Sequence, residues 1–294
     1  MSKLISRALN YLLFYFLLLL SLLPFWLLYL VADLLAFVLY HILGYRKKVV
    51  HKNLETSFPQ ATNIKETEKK FFHFLADTFL ESLKCFTIRK KNLLKRITCD
   101  NPEIMEQYAK ENRSVILMSA HYGNWEYMIY AMNLLFPHLA IGVGKPLSNE
   151  VMNKLTNARR SRYGMEIVNA SNIKEEFKKY KDVPTASLFL SDQYPGGANK
   201  GVFTTFLNKE TNFLYGAEKY AKDYDYAVVY ADVERIKRGR YKIHLVKITD
   251  KPREEEYCMI MSTYINLLGK TIERNPAYWL WSHKRWKQLD GFYK

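Results

Sequence analysis

The sequence predicts an α/β fold: a mostly parallel mixed sheet flanked by helices, with an N-terminal hydrophobic membrane-anchoring helix or helix pair. Two observations carry the prediction. From Pro102 onward short apolar runs alternate with helical segments, the order expected of strands joined by crossover helices. Before that, residues 8–32 contain no charged side chain, being bounded by Arg7 and Asp33.

The uncharged stretch comes first in the chain. As one helix it would be roughly 37 Å long, enough to cross a hydrocarbon core. A shorter apolar run, residues 34–45, follows at once. Lys3 and Arg7 give the chain a basic start, as in a secretory signal, but the apolar region is too long and no small-residue cleavage site follows it. Pro24 breaks or kinks the run, so a spanning helix and a bent pair lying in one leaflet both remain open. Arg46, Lys47, Lys48 and Lys52 form the larger basic flank and lead into the rest of the chain, which favours a cytoplasmic location for that part. The expected division is an anchor over 1–45 and one globular domain over 46–294.

Residues 47–58 read as a basic helical connector ending at Pro59. Residues 63–86 give a helix in which Phe71, Phe72, Phe74, Leu75, Phe79, Leu80 and Leu83 recur near helical spacing, a pattern expected of a core-facing stripe. Strands are predicted at 115–119, 139–143, 166–168, 186–191, 227–233 and 241–246. Helices are predicted at 125–135, 150–162, 173–180 and 213–222. Arg238-Gly239-Arg240 between the last two strands predicts an antiparallel hairpin.

The formal net charge of +15, from 44 Lys and Arg against 29 Asp and Glu, implies an anionic partner. No recognition helix, zinc-finger spacing or RNA-binding aromatic signature accompanies it, so nucleic acid is set aside in favour of anionic membrane lipids and an acidic carrier protein. Three scattered cysteines, Cys85, Cys99 and Cys258, suggest neither a disulfide framework nor a zinc site. No metal is expected.

Chemistry concentrates in Ser119-Ala120-His121-Tyr122-Gly123-Asn124-Trp125-Glu126. The preceding apolar run places His121 at the C-terminal end of a strand, where open α/β sheets hold their ligands. Glu126 falls in the first turn of the next helix, and a carboxylate there could reach back to one imidazole nitrogen and leave the other to take a proton. Backbone amides near Gly123 and Asn124 are candidates for stabilising an oxyanion. Three further clusters stand out. Arg159-Arg160-Ser161-Arg162-Tyr163-Gly164, at a predicted helix end, suits a phosphate clamp, against the plainer reading of a solvated basic turn. Asp192 and Gln193 follow a strand and could line the cleft of His121, or merely cap a loop. Tyr278, Trp279, Trp281, His283, Lys284, Arg285 and Trp286 interleave aromatics with cations, fitting either a lipid-headgroup site or a tail packed on the core. There is no phosphate-binding Gly-rich fingerprint, Gly-x-Ser-x-Gly turn or His-Glu-x-x-His helix.

Taken together, the chain resembles the late acyltransferases of lipid A biosynthesis, within the membrane acyltransferases that carry a His-x-x-x-x-Asp/Glu motif. The resemblance rests on His121-Tyr-Gly-Asn-Trp-Glu126, Arg159-x-x-Arg162-x-Gly164, Asp192-Gln193, the segment 211–216, and Glu273-x-x-Pro276-x-Tyr278-x-x-Trp281-x-His283-Lys284-Arg285, in that order. An upstream Val49-Val50-x-x-Asn53-Leu54-x-x-Ser57-Phe58-Pro59 element adds to it. It implies transfer of a fatty acyl group from an acyl carrier protein thioester, or alternatively acyl-coenzyme A, to a hydroxyl of a glycolipid at the cytoplasmic face of the inner membrane. His121 would be the general base, oriented by Glu126. Arg159, Arg162, Asp192, Gln193, His283 and Arg285 would bind substrate, and no cofactor is implied. The alternatives are a lysophospholipid or aminolipid acceptor under the same mechanism, or a non-catalytic membrane lipid-binding protein.

Overall fold

The apolar run at 115–118 becomes the most deeply buried strand of the molecule, with Val115, Ile116, Leu117 and Met118 all fully buried. In the computed structural model, residues 2–196, 201–289 and 291–293 are described. The N-terminal part is helical: α1 (Ser2–Leu20), α2 (Phe25–Phe37), a π turn at Val38–Ile42, α3 (Lys47–Ser57), α4 (Ile64–Lys84) and α5 (Lys90–Leu94). The alternating region then runs β1 (Ile97–Cys99), α6 (Glu103–Lys110), β2 (Val115–Ser119), α7 (Trp125–Leu135), β3 (Leu139–Gly144), α8 (Glu150–Arg160), β4 (Glu166–Asn169), α9 (Ile173–Lys179) and β5 (Thr185–Leu190). It closes with β6 (Val202–Phe206), β7 (Lys209–Phe213), α10 (Gly216–Tyr224), β8 (Ala227–Lys237), β9 (Arg240–Thr249) and α11 (Met259–Arg274).

Seven strands form one sheet in the order β1-β9-β8-β2-β5-β3-β4. β2 lies between β8 and β5 and is parallel to both. A strand buried on both faces has no reason to alternate, which is why its sequence reads as an unbroken apolar run. The one antiparallel pair in this sheet is β8–β9, joined by the predicted turn, where Gly239 takes φ 71°. The short edge strand β1 and the separate hairpin β6–β7 lie outside the predicted strands. Lys209-Glu-Thr-Asn-Phe213 is mostly polar and gives no strand signal. The helix expected from 213 starts only at Gly216, because Phe213 is fully buried as the end of β7.

The stripe of α4 behaves as core at Phe71, Phe72, Phe74, Leu80 and Leu83, whereas Phe79 is exposed. Pro24 does break the apolar N-terminus, standing as the N-cap of α2 with φ −65°. Helix α2 docks Leu28, Ala32 and Ala36 onto Ala76, Leu80 and Leu83 of α4. Lys84 closes the break by donating to the carbonyls of Ser21 (2.9 Å), Leu22 (3.3 Å) and Leu23 (2.7 Å), satisfying carbonyl groups left over at the end of α1. By length and composition Phe25–Ile42, with mean hydropathy 1.9, is apolar enough to cross a membrane.

Candidate active site at the ends of two parallel strands

The register of β2 and β5 builds the site. Ser119 pairs with Leu190, so His121 and Asp192, each two residues further on, leave adjacent parallel strands side by side. Asp192 then satisfies His121 twice: its Oδ2 accepts from the His121 backbone amide at 3.1 Å and its Oδ1 meets Nδ1 at 2.7 Å. Trp279 Nε1 donates to the same Oδ2 at 2.8 Å. Burial alone would push the Asp192 carboxyl up, but the charge of His121 and hydrogen bonds from His121 and Trp279 outweigh it and hold the group below its usual range. With Asp192 ionised, Nδ1 carries the ring proton and Nε2 keeps its lone pair. Gln193 Nε2 approaches that nitrogen at 3.4 Å, and the ring retains 19% of its side-chain exposure.

The loop carrying His121 is tied down from three directions. Its backbone pairs with the C-terminal segment: Leu280 N donates to the His121 carbonyl at 3.1 Å and Gly123 N to the Tyr278 carbonyl at 3.0 Å. Gly123 has φ 58°, and a Cβ there would stand 2.0 Å from the Val233 carbonyl oxygen, so no other residue fits. Asn124 caps α7 by accepting from Tyr127 N at 2.8 Å and passes its amide to Glu81 Oε2 at 2.6 Å. Glu81, buried in α4, also accepts from Tyr241 (2.8 Å) and from Tyr29 of α2 (2.9 Å). Burial pushes its carboxyl up, and the Tyr241 and Tyr29 hydroxyls only partly counter that. Nothing in the sequence pattern of α4 marks this glutamate; its role depends on three partners that are distant in sequence.

Several sequence expectations are corrected here. Glu126 makes no hydrogen bond to His121. It faces Arg160, which grips it through Nε at 3.2 Å and through a shorter Nη2 contact, because a half-buried carboxylate is held best by a bidentate guanidinium. Arg159 and Arg162 do not form a joint clamp. Arg162 Nη1 donates to the carbonyls of Cys85 (3.1 Å) and Phe86 (2.7 Å) just past the end of α4, while Arg159 lies 5.9 Å from the ring of Phe14. They diverge because α8 ends at Arg160 and a 3₁₀ turn, Ser161–Tyr163, follows. Of the two backbone amides expected near an oxyanion, that of Gly123 is already engaged by the Tyr278 carbonyl, while the cap and Glu81 occupy only the side chain of Asn124.

The Trp-rich segment packs on the core: Trp279, Trp281 and Trp286 are buried. Asn53 of α3 holds its carbonyls at Trp281 (2.8 Å) and His283 (3.1 Å). His283 and Arg285 brace the site from behind. His283 Nε2 accepts from Tyr194 N at 3.2 Å, and burial pushes its pKa down to about 4. Arg285 is 1% exposed, donates to the Asn212 carbonyl at 2.8 Å, and is pushed down to about 10 by burial. Asp192 is equally enclosed, so of the polar residues expected to touch substrate, Gln193 is the one that stands at the open nitrogen. Among the described residues no group of three His, Cys, Asp or Glu side chains could hold a metal ion.

Beside Arg160 opens a cleft of about 340 Å³ of mixed lining, with Ile129, Ile167, Leu188 and Leu190 set among Lys145, Asn153, Asn157 and Arg160. A histidine held by a buried carboxylate, a glutamine amide beside its open ring nitrogen and a cleft of mixed lining nearby form an arrangement able to carry out acid–base chemistry on a bound ligand.

Compared with known proteins, residues 2–288 match the family model of the bacterial lipid A biosynthesis acyltransferases. The chain is 23% identical over 254 residues to the lipid A biosynthesis palmitoleoyltransferase of Escherichia coli (strain K12), an alignment covering 82% of this chain and 79% of that protein. The same identity and coverage hold for a lipid A biosynthesis acyltransferase of Shigella flexneri. With its fold, strand-end histidine and nearly full-length match, the chain belongs to the bacterial lipid A biosynthesis acyltransferase family.

Proposed function

We propose that this protein transfers a fatty acyl group from an acyl carrier protein thioester to a hydroxyl of a lipid A precursor at the cytoplasmic face of the inner membrane. His121 is the general base and Asp192 the carboxylate that orients it. The observation that carries the reading is the 2.7 Å contact between His121 Nδ1 and a carboxylate that is 2% exposed, which fixes the tautomer and leaves Nε2 as the free base.

In the reaction, Nε2 takes the proton of the acceptor hydroxyl as its oxygen bonds to the thioester carbonyl carbon. The resulting oxyanion collapses, the C–S bond breaks, and the leaving thiolate takes the proton back from the imidazolium. Gln193 Nε2, beside His121, is positioned to donate to the oxyanion once it releases the ring nitrogen. The acyl chain occupies the cleft beyond Arg160, and the +15 surface draws in the acidic carrier.

The test supplies labelled acyl carrier protein to the purified chain with a panel of lipid A precursors, lysophospholipids and aminolipids. Transfer to the lipid A precursor, abolished by His121→Ala while the far-ultraviolet dichroism is kept, is the expected result. Turnover retained by His121→Ala rules out the base assignment, and transfer to another acceptor class alone rules out the substrate.

A further inference from the structure

Helix α2 is apolar except for Asp33 and the hydroxyl of Tyr29, and its two faces have different fates. One stripe is buried on α4, as described above. The opposite stripe, Trp26, Leu30, Leu34 and Phe37, is 66%, 58%, 64% and 53% exposed. Helix α1 continues that surface with exposed Leu9, Leu12, Phe16 and Leu19. So much contiguous apolar area is not tolerated in water and calls for a lipid or protein cover.

A crossing helix is the ordinary reading of an 18-residue apolar run. The polar bonds beside the buried stripe contradict it. Midway along the run, Tyr29 donates to Glu81, and Arg238 bridges Asp33 of α2 (2.7 Å) to Asp77 of α4 (2.6 Å) while also reaching the Tyr29 carbonyl at 3.2 Å. Further along, the ring of Tyr40 meets that of Phe72 at 5.3 Å, so α4 runs beside α2 for most of its length. Helix α4 carries Lys65, Glu66, Lys69, Lys70 and His73. For α2 to cross, either these bonds break and Asp33 is stranded in hydrocarbon, or the charges of α4 and of the β8–β9 turn enter it as well. Both outcomes are strongly unfavourable.

The apolar run also ends beside a basic groove. Ile42 and Leu43, each 66% exposed, adjoin a cavity of about 1040 Å³ lined by Lys47, Lys48, Lys52, Lys65 and Lys69. Among the described residues its one carboxylate, Glu68, is buried and turned to His51 at 3.0 Å, so the lysines dominate the described opening. Cations at the edge of an exposed apolar face are the arrangement that matches an anionic leaflet: hydrocarbon against the leucines, headgroups against the lysines.

We propose that α1 and α2 lie flat in one leaflet of an anionic membrane, as a platform that does not cross it, with the groove beside α3 seating phospholipid headgroups. The platform also serves the chemistry proposed above without depending on it. Phe14 of α1 lies near Arg159 of α8, next to the Arg160 that holds Glu126, so the cleft opens close to the lipid from which an acceptor would be drawn.

The test uses the full chain with its native cysteines replaced and one new cysteine, Leu22→Cys in the turn between α1 and α2 or Tyr45→Cys beyond the π turn. An impermeant maleimide is applied to inside-out and right-side-out vesicles from cells making the protein. Tyr45→Cys should label from one face, and Leu22→Cys from that same face or only after detergent. Labelling of Leu22→Cys from the opposite face overturns the platform. For the groove, Lys48→Glu/Lys52→Glu/Lys69→Glu alters three exposed side chains and should weaken binding to phosphatidylglycerol vesicles at least about 10-fold. Binding to phosphatidylcholine vesicles should be unchanged. Unaltered binding to the anionic vesicles overturns the headgroup assignment, and a raised KM for acyl carrier protein in its place gives the groove to the carrier.

Discussion

Two carboxylates flank the histidine loop, and their settings differ in almost every physical respect. Asp192 arrives from the neighbouring strand, is sealed from water, and has its oxygens engaged by His121 and Trp279. Glu126 arrives five residues after His121 on α7, keeps 14% of its side-chain exposure, and is neutralised by Arg160. One is dry and fixed against the ring; the other is half of an ion pair whose arginine lines the cleft. Nearness in sequence therefore misses the carboxylate that touches the ring. A group that must hold a ring in one tautomer has to be immobile and desolvated, and a parallel strand in register supplies both, whereas the first turn of a helix points its side chain toward the cleft.

The comparison breaks most sharply at Asp192→Asn. This change keeps the shape and removes the charge that selects the tautomer, so kcat should fall about 10²- to 10⁴-fold with a small change in acceptor KM. Glu126→Gln should cost far less, about 10-fold, and show in KM for the lipid as much as in kcat. Steady-state assays on both variants decide it: equal losses in kcat would return Glu126 to the catalytic pair and erase the distinction drawn here.

Arg160→Ala sharpens the same contrast through stability. It leaves Glu126 facing the cleft without its partner, an effect of about 1–2 kcal/mol once the partial exposure of both groups is allowed for. Urea unfolding should register that loss, and the double change Glu126→Gln/Arg160→Gln should recover most of it. If the double variant is no more stable than the single one, the pair matters for packing and not for charge.

How much of this was legible follows from the same distinction between local and distant partners. The strand at 115–119 and the hairpin turn at Gly239 were readable because each writes its own local pattern, an apolar run and a glycine between two strands. That His121 and Asp192 would share one sheet edge was readable from two strand ends. That they would touch was not, since it needs the β2–β5 register. The choice of Arg160 over Arg159 and Arg162 depends on where α8 tightens into a 3₁₀ turn, a difference of one residue that no composition argument reaches. Glu81 was invisible for a stronger reason: a buried acid in a helix rich in charged residues is betrayed only by what folds against it.

The smallest effect expected tests whether the dry side of the site behaves as one sealed unit in acid. His283 accepts a hydrogen bond from the Tyr194 amide two residues past Asp192, and burial lowers its pKa from 6.5 to about 4. A lowered folded value means that between these two limits the unfolded chain binds the proton and the folded chain does not. The linkage slope is then positive: this histidine costs nothing above pH 6.5, and its contribution erodes stability as pH falls from 6.5 toward 4. Asp192, also lowered in the folded state, acts in the same sense but at more acid pH, with stability present above its unfolded value and lost as pH falls through the folded one. His138, lowered by burial as well, erodes stability in the same window, so the share of His283 between pH 7 and pH 5 is read as a difference against a variant that cannot titrate there. His283→Gln keeps an acceptor for the Tyr194 amide and cannot titrate, so its melting temperature should drop less over that range than that of the unmodified chain. Parallel curves for the two proteins would mean that water already reaches the ring, and that the Asp192 side of the site is less dry than the geometry makes it.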